Sequence, residues 1–80
     1  MSRRIVYTVH AIQRILQRNI PTDLVVLCIS NPDRLLAEDR VKKAVKKIDG
    51  KAIVVVYREE RGVCLVITAY ITCLLYTSPS

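Results

Sequence analysis

The chain has 80 residues, enough for one small domain and too few to hide a second. With 51% hydrophobic and 25% charged residues, two Gly and three Pro, its composition excludes a disordered or collagen-like chain. Thirteen Lys and Arg against seven Asp and Glu leave a net charge of +6, which suits a polyanion or an acidic protein as partner. A domain this short buries only about 60% of the surface its unfolded chain exposes, so its core is thin.

The three cysteines, Cys28, Cys64 and Cys73, form no C-x-x-C pair and join no His/Cys cluster. Neither a metal site nor a disulfide framework is expected, and a reduced, cytoplasmic setting fits. Arg3-Arg4 is followed by only Ile5-Val6 before polar residues, which lacks the apolar centre of a signal peptide. The longest apolar stretch, residues 63–76, is too short to span a bilayer, so a soluble protein is expected. The segment Cys73-Leu74-Leu75-Tyr76-Thr77-Ser78-Pro79-Ser80 resembles the in-frame translation of a sequencing-library adapter. It is read as a non-native tail, 73–80, leaving 1–72 as the domain; the competing reading is a native apolar tail.

In chain order, Ile5-Val6-Tyr7 predicts a short first strand, and Thr8 is placed to cap a helix. Over residues 9–19 the apolar Val9, Ile12, Ile15 and Leu16 recur at helical spacing. His10, Arg14, Gln17 and Arg18 take the other side and span roughly a third of the circumference. Pro21 and Asn31-Pro32 bracket a second helix over 22–30, although Val25-Val26-Leu27-Cys28-Ile29 also suits a buried strand. Residues 33–49 stay open: Val41, Ala44, Val45 and Ile48 fit a helix, yet the lysine-rich 40–48 also reads as a blunted edge strand. Asp49-Gly50 is a turn, 52–57 a strand, and Arg58-Glu59-Glu60-Arg61-Gly62 the next turn. Residues 63–72 then alternate, with Val63, Leu65, Ile67, Ala69 and Ile71 on one face and Cys64, Val66, Thr68, Tyr70 and Thr72 on the other. No repeat, low-complexity segment or internal linker is present.

The ordered set His10-Ala11, Arg14, Arg18, Asn31-Pro32, Gly50-Lys51 before Val54-Val55-Val56-Tyr57, and Val66-Ile67-Thr68-Ala69-Tyr70 resembles a family of small uncharacterised bacterial domains allied to RelE-type and BrnT-type toxins. The resemblance runs from about Ile5 to Thr72. It implies an α+β domain of RelE-like architecture: a strand, two helices, then an antiparallel β-meander. It also places residues 44–48 in the sheet, and implies a ribonuclease that needs no metal or other cofactor, with RNA as substrate and an acidic antitoxin as partner.

Such chemistry needs a base for the ribose 2′-hydroxyl, an acid for the leaving 5′-oxygen and cations for the charge growing on phosphorus. His10 is the only histidine, and its residue type titrates nearest neutrality. The expected catalytic set is His10, Arg14, Thr68 and Tyr70. Arg18, Lys42, Lys43, Lys46, Lys47 and Arg58 are expected to bind RNA phosphates. The competing readings make His10 a capping residue, the arginines a solvated face, Thr68 and Tyr70 ordinary strand residues, and the lysines a solubilising edge. A non-catalytic RNA- or protein-binding module is the alternative function.

Overall fold

A computed structural model describes residues 4–73 of the chain. Its order is β1 (Arg4–Tyr7), α1 (Val9–Arg18), α2 (Thr22–Ser30), β2 (Arg34–Glu38), β3 (Val41–Ile48), β4 (Lys51–Glu60) and β5 (Val63–Cys73). All five strands join one sheet in the order β1-β5-β4-β3-β2. The β2, β3, β4 and β5 neighbours are antiparallel, but β1 lies parallel to β5, pairing Arg4 with Val63 through Tyr7 with Val66. α1 packs chiefly on β5 and β1, and α2 on β4 and β3.

The RelE-like arrangement of a strand, two helices and an antiparallel meander is therefore corrected: the fold is a mixed five-stranded sheet carrying two short helices. Two physical reasons account for the difference. Arg34-Leu35-Leu36-Ala37-Glu38 is made largely of good helix formers, and only its pairing with β3 makes it a strand. Its turn at Asp39, where φ is 53°, contains no glycine to announce it. β3 is consequently an interior strand, and β2 holds the edge.

The two later hairpins follow their turn chemistry. Asp49 and Gly50 have φ of 46° and 74°, and Arg61 and Gly62 have 51° and 77°, the positive pair that a tight two-residue hairpin turn requires. A Cβ at Gly62 would meet nothing within 4 Å, so backbone conformation and not space favours glycine there. The second turn is shorter than the expected 58–62, because β4 continues to Glu60. The adapter-like tail falls mainly on residues 74–80, outside the described residues, while Cys73 closes β5.

The core lies between the sheet and the helices and comprises Ala11, Ile15, Ile20, Val25, Cys28 and Ile29 against Ala44, Ile53, Val55, Tyr57, Cys64, Val66 and Ala69. The central strand β4 is buried on both faces along Ala52, Ile53, Val54 and Val55, as its continuous apolar run suggests. On α1 the buried stripe is narrower than the apolar spacing implied. Ala11 and Ile15 are buried, whereas Val9 is 72% and Leu16 70% exposed. The helix therefore meets the core through Ala11 and Ile15, one turn apart.

α1 is fixed at both ends. The Thr8 hydroxyl accepts from the Ala11 N–H at 3.1 Å and donates to the Ile67 carbonyl oxygen at 3.1 Å, while the Thr8 N–H donates to the Val66 carbonyl oxygen at 3.1 Å. At the other end Asn19 takes the left-handed conformation, and the Ile20 N–H returns to the Ile15 carbonyl oxygen at 3.0 Å, burying Ile20. Thr8→Ala should lower unfolding stability by about 1–2 kcal/mol, because it removes the cap and orphans the Ala11 N–H. Thr8→Ser should cost less than half as much; urea denaturation of both variants checks the order.

Candidate functional site

The site is built by an interruption in β5. Val56 pairs with Thr68, but its neighbour Tyr57 pairs with Val66, leaving Ile67 as an extra residue in a β-bulge. The bulge breaks the alternation expected over 63–72. Cys64 and Val66 are buried on the helix side before it, and Ala69 is buried on the same side after it. Thr68 and Tyr70, opposite Val56 and Val54, are thereby turned off the face that Cys64 and Val66 occupy.

Past the bulge β5 is also an edge. β1 pairs only with Val63, Cys64, Leu65 and Val66, so beyond them β5 has no strand on that side among the described residues. α1 continues where β1 stops and runs beside this free edge. The result is a cleft of about 390 Å³ lined by His10, Arg14 and Arg18 from the helix and by Thr68, Ala69, Tyr70 and Ile71 from the strand. Spacings of four residues stack His10, Arg14 and Arg18 along one side of α1. The Arg14 Nε–H points to His10 Nε2 at 3.5 Å, a long contact in which the imidazole nitrogen accepts. Among the described residues no carboxylate lines the cleft, and the charged side chains that do are cationic.

The structure thus brings together His10, Arg14, Arg18, Thr68 and Tyr70, and it does not bring the other expected phosphate contacts to them. β4 separates β3 from β5. Along β3 the register puts Lys42 and Lys46 on the side of Ala44, facing the helices, and Lys43 and Lys47 on the opposite side. The lysine run is therefore two pairs and not one track. Lys42 forms an ion pair with Glu59 at 2.5 Å, and Lys46 Nζ donates to the Asn31 carbonyl oxygen at 3.1 Å, covering the end of α2. The Lys47 backbone N–H donates to the Asp33 carboxylate at 2.7 Å. Arg58 is paired with Glu60 and lines a different depression with Asp39, Arg40 and Val41.

Sequence reasoning missed the backbone of the free β5 edge, together with Ala69 and Ile71 in the lining. Alternate N–H groups of an edge strand are unsatisfied donors available to a ligand's oxygens. No side-chain pattern signals them, because the edge exists only through the short reach of β1. Among the described residues no group of three or more His, Cys, Asp and Glu side chains stands together to hold a metal ion, and no helix is long and apolar enough to cross a membrane.

A small mixed-sheet domain with a cationic cleft between its first helix and a free strand edge is the class that these features define. The family model described as Domain of unknown function (DUF4258) matches residues 7–71, from the end of β1 to β5, and the chain belongs to this family. No curated protein and no solved structure matches it.

Two titratable groups in the packing between sheet and helices are shifted from their ordinary values. Burial raises the Tyr7 phenol above its ordinary value, with the neighbouring Cys64 adding to the effect. Burial also pushes the Cys28 thiol up to about 11, against partial relief from Lys46, and this thiol donates to the Ala44 carbonyl oxygen at 3.2 Å. The unfolded Cys28 thiol releases its proton near 9.0 while the folded one retains it, so stability should fall as pH rises from about 9 to about 11. Urea denaturation across that window should show a shallower decline in Cys28→Ala than in the parent chain. An equal slope in the two would contradict the assignment.

Proposed function

We propose that the protein is a metal-independent endoribonuclease that cleaves RNA by attack of a ribose 2′-hydroxyl on the adjacent phosphate. The single observation that supports this reading is the cleft, in which an imidazole, two guanidiniums, a hydroxyl and a phenol share one lining. In the proposed reaction His10 accepts the 2′-hydroxyl proton, and the 2′-oxygen bonds to phosphorus as the bond to the 5′-oxygen breaks. Tyr70 supplies the proton to that leaving oxygen, and Thr68 orients the phosphate. The products are a 2′,3′-cyclic phosphate and a 5′-hydroxyl. Arg14 and Arg18 hold the non-bridging oxygens, where a planar guanidinium matches two oxygens at once and gains as charge accumulates.

Cytoplasmic action as the toxin of a toxin–antitoxin pair belongs to the same proposal. So does kinship with RelE-type and BrnT-type toxins, which rests on the ordered residue set and not on the arrangement of the strands. An acidic antitoxin that lays carboxylates along Arg14 and Arg18 would block the cleft by occupying the positions of the phosphates.

Cleavage of single-stranded RNA should persist in excess chelator and leave cyclic-phosphate ends. His10→Ala should slow it by about 10²–10⁴-fold, the usual contribution of a positioned acid or base, with the circular dichroism spectrum unchanged. Unaltered cleavage by His10→Ala would sink the assignment. Arg18→Ala should lower affinity and reduce the slope of log affinity against log salt by about 1, the signature of one lost phosphate contact. Salt-sensitive binding without any cleavage would identify a binding module instead.

A further inference from the structure

At the opposite margin of the sheet from the cleft, β2 presents an edge with no strand beyond it among the described residues. All five of its residues are exposed, with Leu35 at 49% and Leu36 at 48%. Edge strands are ordinarily blunted by an internal lysine, a proline or a bulge. β2 has none of these within Arg34-Leu35-Leu36-Ala37-Glu38, and two leucines stand at its centre.

The order of these residues specifies what pairs with them. Laid antiparallel against itself about Leu36, the segment sets Arg34 opposite Glu38 of the second copy, Leu35 opposite Ala37, and Leu36 opposite Leu36. The operation is a two-fold rotation, so each of these pairs except the central one occurs twice. The pairing of Leu35 with Ala44 places Leu35 and Ala37 on the helix side of the sheet, and Arg34, Leu36 and Glu38 on the other. Across the seam, then, one face would carry a leucine pair flanked at both ends by opposite charges, and the other face only apolar contacts. Sliding the register by two residues leaves Arg34 or Glu38 without its counterpart. The next pair outward would be Asp33 and Asp39, but Asp33 already accepts the Lys47 backbone N–H and Asp39 lies in the turn.

We propose that the chain forms a two-fold symmetric dimer through antiparallel pairing of β2 with β2 of a second copy, in the register centred on Leu36, joining the two sheets into one. The backbone bonds of the seam belong to Leu35 and Ala37. The cleft of each copy stays open, because it lies at the far margin of its own sheet. This inference is independent of the chemistry proposed for the cleft. A seam of this length buries well under the ~1,200 Å² of a standard stable interface, so the dimer is weak and dissociates on dilution.

Sedimentation velocity on the full chain, across about 1–500 µM, should show a concentration-dependent monomer–dimer equilibrium. Arg34→Glu and Glu38→Arg should each raise the dissociation constant about tenfold or more, since each replaces an attraction with a repulsion at two symmetric places. The double variant Arg34→Glu/Glu38→Arg restores both pairs and should return the constant to within about threefold of the parent. Circular dichroism checks that each variant folds, and Leu36→Lys replaces any swap that does not, with the same loss of dimer expected. A chain that stays monomeric throughout would overturn the proposal and leave the edge to a different protein. So would a dimer indifferent to the single swaps, or a double variant that fails to recover.

Discussion

The bonds of Thr8 to β5 are the constraint on which the rest of the molecule's working edge depends. The Thr8 backbone and hydroxyl reach the Val66 and Ile67 carbonyl oxygens while the same hydroxyl caps α1. One residue thus ends the parallel pairing of β1, starts the helix and grips the bulge. Because α1 begins there, Ala11 and Ile15 come down on the sheet and His10, Arg14 and Arg18 are carried along the stretch of β5 that β1 leaves open. The bulge supplies the other half of the geometry. It keeps Ala69 in the core while directing Thr68 and Tyr70 elsewhere, which an uninterrupted strand could not do with Cys64 and Val66 already buried.

Charge is distributed unevenly along this frame. A net charge of +6 suggests a broad basic surface, yet the cationic groups divide into sets with different surroundings. Arg14 and Arg18 line a cleft that has no carboxylate among the described residues. Lys42 and Arg58, by contrast, meet Glu59 and Glu60 across or along the sheet, and Lys46 covers the carbonyl end of α2. Paired charges attract a polyanion less than unpaired ones at the same distance, so Lys42 and Arg58 offer it less than the cleft arginines do. Lys43 and Lys47 stand exposed on the other face of β3, apart from the cleft.

Local signals were the legible part of the sequence. The strand at Ile5-Val6-Tyr7, the Thr8 cap, both helices and the Asp49-Gly50 turn each follow from a few adjacent residues, and each is found. The helical spacing of His10, Arg14 and Arg18 was legible for the same reason. What escaped was set by distant partners. β2 is a strand because β3 pairs with it, and Arg34-Leu35-Leu36-Ala37-Glu38 has no strand preference of its own. The bulge at Ile67 answers to the burial needs of both halves of β5, and simple alternation misassigned the face that Thr68 and Tyr70 share. The parallel pairing of β1 with β5 likewise joins the two ends of the described chain, across both helices and the three strands between them, and no adjacent residues report it. The lysine run split for a plainer reason, since alternate residues of any strand take opposite faces.

The central claim is that the cleft between α1 and the free edge of β5 is where RNA phosphate binds. It is tested most directly by amide chemical-shift mapping of the labelled chain with a short 2′-O-methyl RNA, which binds without offering the attacking hydroxyl. The account predicts the largest shifts at His10, Arg14 and Arg18 and at Thr68, Ala69, Tyr70 and Ile71, with small shifts along β3. Shifts concentrated on Lys43 and Lys47, or none at either place, would contradict it.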